Sequence, residues 1–219
     1  MVRKLKESRR PEIVDAALAV AADRGLDALS MRAVAQRVGV TPMALYGYFR
    51  SKDELLEAVV GRLLEEVPPA PPGLGWREML QHLAYGLRSV AGRYPAVLPV
   101  LLTRPAVSPG AIRVVDMVYQ ALLDAGVPPG QVARLERMFS TFAIGHILSE
   151  VSGRFGAGTL DPRARRAQLP PEVLPGHHTL GDHLDQAVDW DDEFMADLRD
   201  LCDLAAALAA ADTEQQAAN

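Results

Sequence analysis

The sequence predicts an all-α protein, with a three-helix helix-turn-helix domain over residues 1–66 and a larger helical domain over residues 76–211. Three observations carry that prediction. Apolar side chains recur at three- and four-residue intervals along most of the chain, the spacing that gathers them on one face of a helix. Near the N-terminal end, two short periodic stretches flank a glycine, and a third begins at a serine cap. Between the two domains lies PPAPPGLG, Pro68–Gly75, which no helix accommodates. Beyond it only helical patterns follow.

The first helix carries Ile13, Ala17 and Val20 on one face and gives way at Arg24-Gly25-Leu26. In the second, Met31, Val34 and Val38 share a face, and Ala35 is small enough for another helix to come close. Gly39 stands where that helix must end in a left-handed turn, which costs glycine least. Val40 can plug the core beneath it. Thr41 is a good N-cap, and Pro42 suits the first helical position, where its missing N–H is not needed. The stretch from Thr41 to Tyr48 turns Leu45 and Phe49 inward and leaves Pro42, Met43, Ala44, Gly47 and Tyr48 outward. Ser51-Lys52-Asp53-Glu54 reads as a capping box: Ser51 receives the N–H of Glu54, whose carboxylate reaches back to Ser51. It opens a long helix to Glu66 with Leu55, Leu56, Val59, Val60, Leu63 and Leu64 inside.

An outward face with so little charge is odd for a solvated helix. It suits one lying in the major groove of DNA, against base edges and thymine methyls. Charge points the same way. The first 52 residues hold ten Lys or Arg against five Asp or Glu, a balance of +5. The remainder holds thirteen against twenty-three, −10, which leaves the whole chain at −5. A basic head on an acidic body can hold a phosphate backbone that the body avoids. Arg3, Lys4, Lys6, Arg9 and Arg10 form a basic tail, either solubilising or reaching bound DNA along its backbone or minor groove.

In the larger domain, Trp76 to Tyr94 carries Leu80, Leu83, Leu87 and Val90 on one face. A short helix bounded by prolines follows around Val97 to Thr103. Pro109 to Ala125 carries Ile112, Val115, Tyr119 and Leu122 and closes at Gly126. Gln131 to Val151 carries Leu135, Phe139, Phe142 and His146 in one stripe, and Gly153 to Gly181 reads as loop. The last helix, Asp191 to Ala211, places Phe194, Leu198, Leu201, Ala205 and Leu208 on a heptad seam, suited to left-handed packing on another helix. That seam either closes the subunit's own core or pairs two subunits in a four-helix bundle. Paired subunits are the expectation, because helix-turn-helix readers bind two half-sites together.

Composition narrows the function. The 219 residues, 49% apolar and 5% aromatic, suffice for one or two cores. No apolar run reaches the length of a membrane span and no signal-peptide pattern opens the chain. Cys202 is the single cysteine, which excludes a disulfide framework and suits the reducing cytoplasm. Ser-His-Asp spacing, a Gly-rich phosphate loop and a Glu-x-x-His pair are all missing, which argues against an enzyme. A DNA-compacting protein would be basic throughout, and the body is acidic. His177, His178 and His183 with Asp182 resemble metal ligands but share no helical register, so neither a metal nor a cofactor is expected.

The run Gly39-Val40, Leu45-Tyr46, Phe49, Lys52, Leu55, preceded by the helix ending at Arg24-Gly25-Leu26, resembles the DNA-binding domain of the TetR family of repressors. From Trp76 to Ala211 the order of helices, with WREML early and DDEFMADLRDLCDLAAAL late, resembles the family's tetracycline-repressor type of C-terminal domain. The resemblance implies a homodimer joined through the long and last helices, double-stranded operator DNA, and release by a small-molecule inducer between the body helices. It places Thr41, Pro42, Met43, Ala44, Gly47 and Tyr48 on the reading face, Arg32 at a base edge or phosphate, and Tyr46 and Lys52 on phosphates. The tetracycline-responsive type has glutamine and tryptophan where this chain has Pro42 and Gly47. Its operator is therefore not expected here, and methyl contacts and DNA shape take more of the reading. For the inducer, His146 beside Phe142 is either a ligand contact or a hydrogen-bonded core residue. His82 and Tyr85 line the same cavity or face solvent. Met117, Tyr119 and Asp116 are further candidates, and Asp116 has Arg113 nearby as an alternative partner. Cys202 is expected to be a small buried hydrophobe.

Overall fold

A single helix, α1 (Val2–Arg24), opens the chain, in a computed structural model that describes residues 2–154 and 162–217, the side chains of 2–8, 162, 165 and 214–217 excepted. The basic tail expected ahead of Ile13 is thus helical, with Pro11 inside the helix; the side chains of Arg3, Lys4 and Lys6 lie outside the described residues. Ile13, Val14, Ala17, Leu18 and Ala21 are buried. Gly25 takes a φ of 82° and the chain turns through Leu26–Ala28.

Helix α2 (Met31–Val38) starts at Ser30, whose hydroxyl accepts from the Ala33 N–H at 3.1 Å, and ends at Gly39 in the left-handed region at φ 75°. Helix α3 (Pro42–Tyr46) is capped by Thr41, which accepts from the Ala44 N–H at 3.2 Å. It stops two residues short of the expected end at Tyr48. Leu45 and Phe49 are wholly buried as expected, but Tyr48 is half-buried against the core and does not stand out on the reading face. Helix α4 (Lys52–Glu65) is capped by Ser51, which accepts from the Glu54 N–H at 3.1 Å. The return bond differs from the expected box. The Glu54 carboxylate accepts from the Arg50 N–H at 2.7 Å, while its other oxygen receives Arg10 at 3.1 Å. The carboxylate thus caps the residue before Ser51 and also meets a cation from α1.

The body consists of α5 (Trp76–Arg93), α6 (Val100–Thr103), α7 (Pro109–Asp124), α8 (Pro129–Val151), α9 (Pro162–Arg166), α10 (Pro175–Thr179), α11 (Gly181–Leu184) and α12 (Trp190–Ala217). The stretch from Gly153 to Gly181, expected to be loop, contains α9 and α10, and residues 155–161 lie outside the described set. Asp185 gathers this region, accepting from Arg163 at 2.9 Å and Arg166 at 2.6 Å. Helix α7 packs against α4, α5 and α8. Its buried face is Ala111, Val118, Ala121 and Leu122, with Val115 and Tyr119 half-buried and Ile112 exposed. The inward face is rotated from the expected one because three helices, not one, press on α7 and small residues let them approach.

Helices α4 and α7 lie close together. A Cβ on Gly61 would lie 2.7 Å from the Ser108 Cβ, and one on Gly110 would meet the Glu65 side chain. Helix α4 therefore belongs to both halves of the molecule, packing on α1 and on α6 and α7 of the body. On α12, Phe194, Leu198, Cys202, Ala205 and Ala209 are buried within the subunit, while Leu201 and Leu208 are half-buried. The seam is partly used by the chain's own core. Among the described residues, no helix is long and apolar enough to cross a membrane.

Candidate DNA-reading face and ligand cavity

The exposed side of α3 is almost without charge. Met43 is 81% exposed and Tyr46 49%, and Thr41, Pro42, Ala44 and Gly47 are exposed around them. The helix can present this face because Leu45 and Phe49 anchor its other side. Arg32 on α2, and Arg50 and Lys52 at the start of α4, are exposed. Among the described residues none of the three is in an ion pair, whereas Arg37 is committed to Asp23 at 2.6 Å and Arg62 to Asp15 at 3.0 Å. The uncommitted cations thus flank an uncharged helix. Arg50 was not singled out by its sequence context, although a basic residue beside a helix N-terminus is the signal that could have found it.

The basic tail is not wholly free. Arg10 lies over the Phe49 ring, 4.2 Å from its centre, donates to the Tyr48 carbonyl and reaches Glu54. It ties α1 to the segment behind α3 and to the start of α4. The Arg50 N–H, with Arg10 beside it, holds the Glu54 carboxyl below its usual range. At the same helix start, Asp53 pairs with Arg104 of the body at 2.6 Å. At the other end of α4, Glu66 takes Arg62 at 3.0 Å and Arg93 at 2.6 Å, and Tyr94 donates to it at 3.2 Å. Both ends of the shared helix are held by the body.

Within the body a cavity of about 180 Å³ lies between α4, α5, α7 and α8. Leu64, Leu83, Leu87, Val118 and Phe139 are among its apolar lining, and Arg104, Glu136 and Ser140 are its polar residues. None of His82, Tyr85, Met117, Tyr119, Phe142 and His146 lines it. His82 instead contacts the Pro68 carbonyl at 2.9 Å, in the linker. Met117 borders a small cleft with Trp76 and Met79, and Tyr119 is half-buried against the core. Asp116 is exposed.

Tyr85, Phe142 and His146 come together elsewhere. They surround Phe194 of α12, with ring centres at 5.7, 6.2 and 4.8 Å from it. Arg88 lies over the same ring and binds Glu150 through two 2.7 Å bonds and Asp191 at 2.6 Å. This knot fastens α12 to α5 and α8. Burial pushes the His146 imidazole below its ordinary value, against the pull of Asp197 at 3.7 Å. The histidines of α10 and α11 form no cluster of potential metal ligands among the described residues.

A capped α2–turn–α3 unit with an uncharged outer face, flanked by free cations and sharing α4 with a cavity-bearing body, defines a helix-turn-helix DNA-binding protein. Comparisons with known proteins narrow the class. Residues 13–59 match the model of the tetR family of bacterial regulatory proteins, and residues 68–179 match the tetracyclin repressor-like C-terminal domain. The chain belongs to the tetR family, whose members are transcriptional regulators and not enzymes. It is 29% identical over 163 residues to the HTH-type transcriptional repressor DrrR1 of Streptomyces coeruleorubidus, covering 72% of this chain and 60% of that protein. It is 30% identical over 166 residues to the class A tetracycline repressor from transposon 1721 in Escherichia coli, covering 73% and 74%. The crystal structure of apo ActR from Streptomyces coelicolor superposes with a TM-score of 0.78 at 26% identity, covering 92% of this chain and 96% of ActR. The same protein with actinorhodin bound gives 0.76, over 91% and 97%.

Proposed function

We propose that this chain is a homodimeric transcriptional repressor, released from a near-palindromic operator in the cytoplasm by a small-molecule inducer. One observation carries the reading: α3 exposes an uncharged face between uncommitted cations, and the next helix along the chain, α4, also walls the cavity. In this reading residues 1–66 are the reader and residues 76–211 the inducer-binding and dimerisation domain. Thr41, Pro42, Met43, Ala44 and Gly47 lie against base edges and thymine methyls, Arg32 takes a guanine or a phosphate, and Tyr46, Arg50 and Lys52 hold the backbone. Tyr48 supports the helix from beneath. Dimerisation uses what α8 and α12 leave uncovered: Met138 is 38% and Leu204 37% exposed, beside half-buried Phe142 and Leu201.

The inducer occupies the cavity between α4, α5, α7 and α8, in place of the Tyr85, Phe142 and His146 cluster. The relatives support release by a ligand: ActR has been crystallised with (S)-DNPA and with actinorhodin. A ligand that favours the spread-apart arrangement of the two readers by about 3 kcal/mol lowers operator binding roughly a hundredfold.

Selecting bound fragments from random DNA and footprinting them tests the reading. The expected result is one near-palindrome with two protected half-sites about one helical turn, or a multiple of it, apart. A monomer that binds all fragments alike at moderate salt would overturn it.

A further inference from the structure

The polar side of the cavity is unbalanced. Glu136 is exposed over only 9% of its surface, and its carboxylate accepts a single hydrogen bond among the described residues, from the Ser140 hydroxyl at 2.7 Å. No cation among them lies within ion-pair distance of it. Arg104, the other charged residue of the wall, has its guanidinium 2.6 Å from Asp53, on α4. A carboxylate withdrawn from water into an apolar wall is strongly disfavoured unless a cation or a second donor meets it. The protein supplies one donor and leaves room for the rest.

We propose that the cavity binds a compact, mostly apolar molecule bearing a protonated amine, whose ammonium group pairs with Glu136 while its body lies on Leu83, Leu87, Val118 and Phe139. This rests on the ligand-responsive reading above and adds the chemical class of the ligand. The size agrees: at about 180 Å³ the cavity exceeds one of roughly 150 Å³ that takes up benzene, so a substituted ring fits. Ser140 holds one carboxylate oxygen in place and leaves the other for the ammonium. A neutral hydroxyl at the same point forgoes the charge assistance, and an anionic group meets a like charge.

Calorimetric titration of the full chain with benzylamine, benzyl alcohol, toluene and benzoate tests this, since the four share a ring and differ in charge. Benzylamine is expected to bind about tenfold more tightly than benzyl alcohol, with no measurable heat from benzoate. In Glu136→Gln the amine advantage should vanish while toluene binds as before, which shows the cavity intact. Glu136→Asp, which keeps the charge, should retain most of the advantage. An amine preference that survives Glu136→Gln, or benzoate bound as well as benzylamine, would overturn the proposal. Toluene and benzyl alcohol bound without any preference for the amine would sink the charge assignment and leave the ligand cavity standing. No binding of any probe, and no release of a selected operator fragment by any of them, would sink both.

Discussion

The reader exposes Met43 over 81% of its surface, whereas the body keeps Glu136 down to 9%. Each arrangement suits its partner. A helix that enters a groove needs side chains standing free on a rigid base, and Leu45 and Phe49, both fully buried, supply that base. A cavity that selects a small molecule needs its polar groups withdrawn from water, where each is worth more. The two regions meet in α4, which carries Lys52 at one end and walls the cavity with Val60 and Leu64 at the other. A tightly packed reader and a cavity-bearing body thus share one helix, α4.

The sharpest way to break this comparison is to truncate one phenylalanine in each region. Phe49→Ala should cost about 3–5 kcal/mol in denaturant unfolding, and with it Arg10 loses the ring beneath it. Phe139, 6% exposed but bordering the cavity, should cost less when truncated, since one side of its ring already lacks partners. Equal losses would mean that the cavity is no emptier than the reader's core.

Next in size is a wedge at the shared helix itself. Gly61→Ala, with its Cβ driven against Ser108, should destabilise by about 1–3 kcal/mol and weaken operator binding by displacing α4. Adding Ser108→Gly removes the obstacle while costing only a few tenths of a kcal/mol as a cap of α7, so the double variant should recover both properties. Failure to recover them would place the effect outside the α4–α7 contact.

Acid separates the regions more gently. His146 titrates below 6.5 in the folded body, so the unfolded chain binds the proton first and stability falls as the pH drops below 6.5. Asp197, Glu150 and Glu193 pull the other way and Arg88 assists, with burial the largest cause. Glu54 in the reader is likewise depressed, from 4.5, and its contribution is lost only at lower pH. Thermal melting against pH should therefore show a first decline that disappears in His146→Gln and a second that disappears in Glu54→Gln. A single decline confined to the carboxylate range would contradict the account of His146. The smallest effect is at Lys52: its change to alanine should weaken binding to all DNA and lower the salt slope by about one, leaving base preferences unchanged.

What the sequence made legible follows the same division. Gly39, Thr41 and Ser51 announce their turns and caps because each acts within four residues of itself. The same locality gave Leu45 and Phe49 their inward positions. Glu54 escaped in part, because Arg10, forty-four residues away, also meets its carboxylate. The cavity was not legible. Its wall is drawn from α4, α5, α6, α7 and α8 and from the segments after α4 and α6, and spacing within one helix says nothing of what faces it. Tyr85, Phe142 and His146 do share an environment, but it is the ring of Phe194, contributed by α12, far from each of them in the chain. The stripe of Phe142 and His146, with Tyr85 from α5, reported a packing knot, and the less conspicuous Glu136 and Ser140 face the cavity.

The central claim is that the uncharged face of α3, presented twice, reads the sequence. Binding should be measured to a selected site and to all its single base-pair substitutions, for the wild-type chain and for Met43→Ala. The account predicts changed preferences at two positions related by the symmetry of the site, with the rest of the profile intact. A profile altered at one position only, or lowered uniformly, would contradict it.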